Sequence, residues 1–464
     1  MTKEDEIRAL GIYGKYIDNS LGFEDNEAYT YHHLASVKWV YGTEVFKGIS
    51  NKVFDINVNH VKKKEKIKIA FLNIHVSTWA CEKLYRMLEN DERFEPYIIV
   101  VPFFNGTNKT IRDSYLETVN YFLENKYSVI EGYNVSTERH LGWDEVGIPD
   151  IIFHQNPHYK GFRDAYKIYN IPLSVLNIYI PYAFMQVNDY YAQNNQMTHL
   201  LYWKIFCETE HNRRLFGKHC DKGNEHVIAC GYAKMDMFLD SMSSKKIRDI
   251  WKIKDVLKAE KVVKIIYAPH HSLYSGLYGF STFDMNYLGI YNLAKKYSEE
   301  TSWIIKPHPL LKKQSVLSGL FKDEKEYDDY IKMWDDLPNA KSVEDDPYFD
   351  IFKTSDGMIF DSQSFRMEYF YVGKPSLYLN RVGKDYALAF DELGLAVKDI
   401  IYSVDGNQIN LIKKFIDETL IGKKDYRSEE RIAFYKKYLD YPTYNDGVLA
   451  NEYIYNFLKS SFKF

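Results

Sequence analysis

Short apolar runs alternate with polar helical stretches along most of this chain from Ile67 onward. Each run has the length of a buried strand. The predicted strands are Ile67–Leu72, Tyr97–Val101, Tyr127–Ile130, Asp150–His154, Leu173–Tyr179, Lys204–Cys207, His226–Cys230, Val262–Ala268, Ser302–Ile305, Gly357–Phe360 and Ser376–Leu379. Strands that alternate with helices are typical of doubly wound, mainly parallel α/β sheets.

A break in this pattern at Gly231–Asp236 predicts a boundary between two α/β regions. The polar segment Ser241–Glu260 follows the break, and its composition predicts a helix. The stripe of apolar residues within Asn451–Phe464 has helical spacing and predicts a helix that folds back to the N-terminal domain. A helix lying on a membrane surface is the alternative for that segment. We predict four parts: a helical N-terminal extension (1–60), a first Rossmann-like domain (61–240), a second Rossmann-like domain (241–430) and C-terminal helices (431–464).

Three strands of the second α/β region end in polar turns. The turns are His270-His271-Ser272, Lys306-Pro307-His308-Pro309 and Asp361-Ser362-Gln363-Ser364. Because the carboxyl ends of parallel strands lie at one edge of a sheet, we expect these turns to converge. Lys306 and His308 would neutralise a diphosphate there, and the amides after Asp361 would hold it. The alternative for Ser362 is that it only caps the following helix.

Three strands of the first α/β region also end in polar residues. They lead into Asn73–Ser77, His154-Gln155-Asn156-Pro157-His158 and Tyr179–Tyr182. We expect these ends to line one edge of the first domain, where ligands of such sheets bind.

Composition, charge and the absence of certain motifs argue against several classes of protein and of binding site. The chain has 464 residues and a net charge of −4, so no general basic field points to nucleic acid. The four cysteines lack the spacing of a metal site, and no GxGxxG or P-loop motif occurs. No apolar run reaches the ~18 residues of a membrane span. We expect a cytoplasmic protein, with at most a peripheral contact with the inner membrane surface, and no metal or cofactor.

The motifs together resemble the CDP-glycerol glycerophosphotransferase family. The resemblance rests on Gly231–Asp236, Pro269–Ser272, KPHP at 306–309 and SDGMIFDSQSFRMEYFYVGKPSLYL at 355–379. It implies a GT-B fold, in which two Rossmann-like domains face each other across a cleft. It also implies a nucleotide-diphosphate donor on the second domain and an acceptor on the first.

The family's site residues carry over by position. His308 matches the family histidine near the donor diphosphate. Asp361, Ser362 and Ser364 match its phosphate-binding D-Y-S-S turn, with Gln363 in place of Tyr. His270, His271, Ser272 and Lys306 complete the donor side that we predict.

The acceptor side departs from the family pattern. Well-studied members carry a His-Gly turn thought to supply the general base, whereas the counterpart here, Tyr179–Tyr182, contains no histidine. His154 and His75, at neighbouring strand ends, are the substitutes we consider. Asn156 and Tyr182 are the expected acceptor contacts.

The resemblance implies transfer of an alditol phosphate from a CDP-alditol to a hydroxyl of a surface polysaccharide or lipid-linked acceptor, with release of CMP. Such reactions build teichoic acids and capsules. Two alternatives remain open from the residues: an inverting transferase that uses a nucleotide-diphosphate sugar, and a non-catalytic glycan-binding subunit.

Overall fold

The computed structural model of the chain describes residues 30–103, 108–157, 164–240, 247–274, 276–343 and 348–463. These residues form two compact units. Unit 1 contains residues 30–185, 190–237 and 441–463, and unit 2 contains residues 186–189 and 238–440. Of the predicted N-terminal extension, residues 1–29 lie outside the described part of the chain.

Unit 1 is built on a seven-stranded parallel sheet with the strand order β3-β2-β1-β6-β7-β8-β9, beside a β4-β5 hairpin. The strands are β1 Ile67–Asn73, β2 Phe94–Val100, β3 Val129–Glu131, β4 Tyr133–Asn134, β5 Arg139–His140, β6 Ile151–His154, β7 Leu176–Tyr179, β8 Lys204–Cys207 and β9 Val227–Ala229. The central strands are almost wholly buried because helices cover both faces of a doubly wound sheet. All seven strands predicted for this region are confirmed, within a few residues at their ends.

Helices surround this sheet and connect its strands. Those of unit 1 with helical hydrogen bonding are Tyr31–Tyr41, Thr43–Lys62, Val76–Thr78, Glu82–Glu89, Asn108–Glu124, Trp143–Val146, Asp164–Tyr166, Ile168–Asn170, Tyr190–Asn194, Met197–Leu201, Glu210–His219, Ala233–Met235, Asp236–Leu239, Tyr441–Tyr444 and Ala450–Ser461. The last of them buries Ile454 and Leu458 and packs on Glu82–Glu89 of the same unit.

Unit 2 is built on a six-stranded parallel sheet with the order β12-β11-β10-β13-β14-β15. The strands are β10 Val263–Ala268, β11 Thr301–Ile305, β12 Ala340–Ser342, β13 Gly357–Phe360, β14 Ser376–Asn380 and β15 Tyr402–Asp405. The sequence pattern missed β12 and β15. β12 has only three residues, and all four residues of β15 are half-buried, so neither produces an apolar run.

The helices of unit 2 cover both faces of its sheet. They are Val256–Lys261, Phe283–Lys296, Leu311–Leu317, Glu324–Asp335, Phe349–Thr354, Gln363–Glu368, Tyr369–Val372, Tyr386–Ala389, Glu392–Lys398, Ile409–Lys414, Phe415–Ile421, Ser428–Phe434 and Tyr435–Leu439. Trp303, Trp334 and Tyr267 lie in one core, where the ring of Trp334 contacts the other two rings.

The helix predicted for Ser241–Glu260 is wrong in its described part, since only Val256–Lys261 forms a short 3₁₀ helix. The preceding residues are held by tertiary hydrogen bonds instead. The indole N–H of Trp251 donates to Thr354 Oγ1 at 2.7 Å, and Ser302 Oγ donates to the carbonyl of Lys252 at 2.8 Å. Polar composition alone does not reveal such bonds.

Each sheet has a point where the strand order reverses, and this point positions the polar turns. In unit 1 the reversal lies between β1 and β6, and in unit 2 it lies between β10 and β13. In open α/β sheets, ligands bind beyond the carboxyl ends of the strands at such points. No helix in the described part of the chain is long and apolar enough to cross a membrane.

Candidate functional site

The three polar turns of unit 2 do converge at the reversal point of its sheet. Strand β10 pairs with β11 on one side and with β13 on the other. The turns that follow these strands therefore lie side by side. The backbone N–H of His308 donates to the carbonyl of Pro269 at 3.1 Å, which ties the turn after β11 to the turn after β10.

Asp361 ties the turn after β13 to the same place. One carboxylate oxygen accepts a hydrogen bond from the backbone N–H of His270 at 2.5 Å. The other accepts from the backbone N–H of Thr282 and from Thr282 Oγ1. Burial raises the pKa of Asp361 to about 7, although these three donors favour the ionised form. Asp361 was expected to contact the donor, but in the structure its carboxylate is fully used in holding the loops.

Three imidazoles form a cluster above the ends of β10 and β11. The ring centroids are 4.2 Å apart for His270 and His271, 4.1 Å for His271 and His308, and 5.2 Å for His270 and His308. All three side chains are partly exposed, so a ligand can reach them. The three histidines that we predicted from the polar turns therefore lie together in the structure.

Hydrogen bonds fix the proton position in the ring of His308 and engage Nδ1 of His270. Nδ1 of His308 accepts a hydrogen bond from the backbone N–H of Leu310 at 3.1 Å, so Nε2 carries the proton of the neutral ring. Nδ1 of His270 shares a hydrogen bond of 2.7 Å with Ser272 Oγ. Nδ1 of His271 is buried and has no partner among the described residues.

The three rings are neutral at pH 7 in these surroundings. Burial lowers the pKa of His271 to about 4. Burial, with the neighbouring His271 and the cation of Lys306, lowers the pKa of His308 to about 3. The pKa of His270 also lies well below 6.5 because of burial and the other two rings. The positive charge expected on His308 is therefore absent, and Lys306 is the cation of this edge.

Ser272 and Lys306 are both buried at the margin of the cluster. Ser272 Oγ accepts a hydrogen bond from the backbone N–H of Phe280 at 3.0 Å and holds the ring of His270. Ser272 therefore orients a histidine, whereas we predicted that it would contact the nucleotide donor.

The turn after β13 leaves two hydroxyls unused. Ser362 is the residue before the helix Gln363–Glu368, but its side chain makes no capping hydrogen bond. Neither Ser362 Oγ nor Ser364 Oγ has a hydrogen-bond partner among the described residues. The capping alternative for Ser362 is thus not what the structure has. Both hydroxyls remain free to donate to an anion.

Gln363, which stands where the family has Tyr, turns toward the sheet. Its Nε2 donates to Tyr378 Oη at 2.9 Å and to the carbonyl of Asp361 at 3.3 Å. The side chain therefore braces the turn against β14, and a direct contact with the donor, which we predicted, is not what these bonds favour.

The two base candidates of unit 1 differ in accessibility. His154 is buried, and its Nε2 is 2.8 Å from Oδ1 of the buried Asn177. His75 is partly exposed beyond the end of β1, and its Nδ1 is 3.1 Å from Ser114 Oγ. Burial lowers the pKa of each to about 4. The geometry favours His75 for contact with a substrate, because the ring of His154 points into packed interior.

The expected acceptor contacts, Asn156 and Tyr182, lie at the ends of β6 and β7 and are both half-buried. The carbonyl of Tyr182 accepts a hydrogen bond from Tyr232 Oη at 3.0 Å.

Asn73, the last residue of β1, is a residue that the sequence reasoning did not single out. Its side-chain amide is fully buried, and neither of its polar atoms has a partner among the described residues.

Thr282 is a further residue that was missed. It precedes the helix Phe283–Lys296 and bonds to Asp361, 79 residues away. Its sequence context signals only a helix start, and nothing local reveals the distant carboxylate.

Three imidazoles this close also occur at metal sites, and their nitrogen atoms lie within 4.8 Å of one another. Two features of the cluster favour an anion instead. The basic nitrogen of His308 already accepts a backbone N–H, and the cation of Lys306 lies close enough to lower the pKa of that ring. With the hydroxyls of Ser362 and Ser364, the edge presents a cation and N–H and O–H donors, which suit phosphate oxygens.

Known structures share this architecture. The Wall Teichoic Acid Polymerase TagF matches with 13% identity and a TM-score of 0.51, covering 90% of this chain and 94% of that one. A TagF variant soaked with CDPG matches with 12% identity and a TM-score of 0.50, covering 100% and 98%. UDP-GlcNAc 2-epimerase from Neisseria meningitidis, bound to UDP-GlcNAc, matches with 16% identity and a TM-score of 0.51, covering 85% and 100%. These neighbours are GT-B enzymes, and the predicted GT-B fold is confirmed.

No curated protein sequence matches the chain. A family model, however, matches residues 185–459, more than half of the chain and all of the polar turns of unit 2. It describes transferases, so the alternative of a non-catalytic subunit is set aside. The resemblance seen in the motifs is thereby confirmed, and the chain belongs to the CDP-glycerol:poly(glycerophosphate) glycerophosphotransferase family.

Proposed function

We propose that this enzyme transfers an alditol phosphate, such as glycerol phosphate, from a CDP-alditol to a hydroxyl of a cell-surface polysaccharide or lipid-linked acceptor. The observation that carries the proposal is that the hydroxyls of Ser362 and Ser364, which have no partner among the described residues, lie with Lys306 and His308 at the reversal point of the unit 2 sheet. A diphosphate is the part common to all CDP-alditols, and it needs such donors. The CDPG soaked into TagF has the same chemistry.

The donor diphosphate binds to unit 2 through three kinds of contact. Lys306 supplies the charge, Nε2–H of His308 donates a hydrogen bond, and the hydroxyls of Ser362 and Ser364 donate two more. Hydrogen bonds to charged groups each contribute about 1.5–3 kcal/mol.

The reaction exchanges one phosphorus–oxygen bond for another. The acceptor hydroxyl oxygen attacks the phosphorus that bears the alditol. The bond from this phosphorus to the bridging oxygen breaks, and CMP leaves with that oxygen and its electron pair. The acceptor proton passes to a base. Negative charge gathers on the phosphoryl oxygens, where fixed donors and cations stabilise the transition state.

His75 is the base that we assign. Ser114 Oγ, at 3.1 Å from its Nδ1, fixes the ring, and the ring is partly exposed at the carboxyl edge of the unit 1 sheet. Its low pKa keeps it unprotonated and able to accept a proton at pH 7. His154 lacks this exposure and serves instead to fill the interior beside Asn177.

The acceptor binds to unit 1, where Asn156 and Tyr182 offer an amide and a phenol close to the strand ends. A polysaccharide or lipid-linked chain presents hydroxyls that such groups recognise. A lipid-linked acceptor would bring the enzyme to the inner surface of the membrane.

The nucleotide that is released tests this proposal. The enzyme at high concentration is incubated with CDP-glycerol or with UDP-GlcNAc, with water or glycerol as a substitute acceptor, and the products are separated by ion exchange. The expected result is release of CMP from CDP-glycerol, with glycerol phosphate as the second product in water and a phosphodiester of two glycerols when glycerol is the acceptor. Release of UDP from UDP-GlcNAc, with CDP-glycerol left intact, would instead support the alternative of a sugar transferase.

A further inference from the structure

We infer that His271 takes up a proton when the diphosphate of the donor binds, so that the three-histidine cluster holds its ligand as one cation and two neutral donors. This inference rests on the proposed function, since it needs an anion at the same edge. It assigns a role to His271, and it couples the uptake of a proton to the binding of the nucleotide donor.

Geometry singles out His271 within the cluster. Nδ1 of His308 accepts the N–H of Leu310, and Nδ1 of His270 is engaged with Ser272 Oγ. Only Nδ1 of His271 among the three is buried without a partner. A buried polar atom of this kind costs free energy until it is satisfied. A proton on this nitrogen would make the partly exposed ring of His271 a cation, which a bound anion stabilises.

The groups around the cluster explain why the proton is absent before the ligand binds. Burial alone lowers the pKa of His271, while Lys306, which follows β11, acts on the neighbouring ring of His308. Asp361 follows β13, but its carboxylate is committed to His270 N–H and to Thr282. Asp284 acts on Asp361 rather than on the rings. Burial then keeps the empty cluster neutral.

A bound diphosphate reverses this balance. Its two negative charges lie within contact distance of the rings and favour the charged form of an imidazole. Rings whose centroids are 4.1–5.2 Å apart interact strongly, so the first proton opposes a second. We therefore expect an uptake of about one proton, and not two or three.

Two measurable consequences follow from the linkage of proton and ligand. The apparent binding enthalpy of CDP-glycerol depends on the ionisation enthalpy of the buffer, with a slope equal to the number of protons taken up. The dissociation constant also rises with pH, by about tenfold per unit where one proton is taken up. Each phosphorus of CDP-glycerol has one ester bond and one anhydride bond and carries a single strongly acidic proton, so no group of the ligand titrates near pH 7.

The test is calorimetry of CDP-glycerol at pH 7 in PIPES, HEPES and Tris, with the wild type, His271→Gln and His32→Gln. His32 is an exposed histidine of unit 1 and serves as the matched control. We expect a slope near +1 for the wild type and for His32→Gln. For His271→Gln, we expect weaker binding and a slope near zero.

Three outcomes would overturn the inference, and they can be told apart. A slope near zero in the wild type, with CDP-glycerol still bound, removes the proton coupling but leaves the proposed function intact. An unchanged slope in His271→Gln places the proton on another group. Absence of any binding by the wild type contradicts the proposed function itself.

Discussion

The carboxylate of Asp361 accepts a hydrogen bond of 2.5 Å from the backbone N–H of His270, and this bond joins the turns that leave two adjacent strands. The second oxygen of Asp361 binds Thr282 in the same way. One buried side chain thus sets the spacing between the histidine cluster and the turn that carries Ser362 and Ser364.

Replacing this side chain tests its structural role. In Asp361→Asn the amide NH₂ would face one of the N–H groups that Asp361 now accepts, leaving a buried donor unpaired. We expect the free energy of unfolding in urea to fall by about 1–3 kcal/mol. We also expect CDP-glycerol to bind at least about tenfold more weakly, since the loops separate. Unchanged stability and affinity would show that the loops hold their places without this carboxylate.

The unpaired hydroxyls lead to the opposite expectation for stability. In Ser362→Ala with Ser364→Ala no side-chain hydrogen bond within the described part of the chain is lost, so the melting temperature should stay the same. Affinity for CDP-glycerol, measured by calorimetry, should fall about tenfold or more, because two donors to a charged group disappear. Ser318→Ala, an exposed serine of the same unit, is the control. Equal affinity in the double variant and in this control would place the diphosphate elsewhere.

His75 and His154 are distinguished by their replacement with glutamine. His75→Gln removes the assigned base and should lower kcat by about a hundredfold or more, with little change in donor affinity. His154→Gln should keep kcat within a few-fold of the wild type. A large loss of kcat in His154→Gln, without a loss of folded protein, would reverse the assignment.

His154 should affect stability in acid instead. Its pKa of about 4 in the folded protein lies below the 6.5 of an unfolded chain, so the unfolded state binds the proton first. The stabilisation from keeping the ring neutral is complete above pH 6.5 and is lost as the pH falls toward 4, by about 3 kcal/mol. The unfolding free energy of His154→Gln should therefore fall less steeply over this range than that of the wild type. Parallel curves would show that His154 is not protonated on unfolding.

The backbone angle at Gly231 and a nearby aromatic ring require glycine at the start of the motif Gly231–Asp236. Its φ is +109°, and a Cβ there would lie 2.2 Å from the ring of Tyr441. Tyr441 Oη donates in turn to Asp236, which also accepts the backbone N–H of Asn451 at 2.7 Å. This part of the motif thus fixes the C-terminal segment onto unit 1.

We expect Gly231→Ala to lower the unfolding free energy by about 3 kcal/mol, from the strained backbone and the clash together. Gly147→Ala is the matched control, because Gly147 has a φ of +83° and no atom within 4 Å of its Cβ position. It carries the backbone strain alone. Equal losses in the two variants would show that contact with Tyr441 is unimportant.

Sequence patterns predicted the sheets well because buried parallel strands are apolar on both faces. The ends of these strands also predicted which turns would meet, since parallel strands end at one edge. The three-residue β12 and the half-buried β15 were missed for the same reason, as they lack an apolar run.

The roles of individual residues were harder to predict than their positions. Asp361, Ser272 and Gln363 all lie in the expected turns, yet their side chains bond to partners that sequence distance hides. The charge on His308 was mispredicted because it depends on burial and on Lys306, which a motif does not report. His154 and His75 both lie at the ends of predicted strands, and only the structure shows that the first ring is buried and the second is accessible.

The most direct test of the central claim is the dissociation constant of CDP-glycerol for the wild type and for His308→Ala, measured by calorimetry beside a thermal melt of each protein. The wild type should bind, and the variant should bind about tenfold to a hundredfold more weakly while melting as a folded protein. Equal affinity in a folded His308→Ala variant would contradict the claim that this edge of unit 2 binds the donor diphosphate.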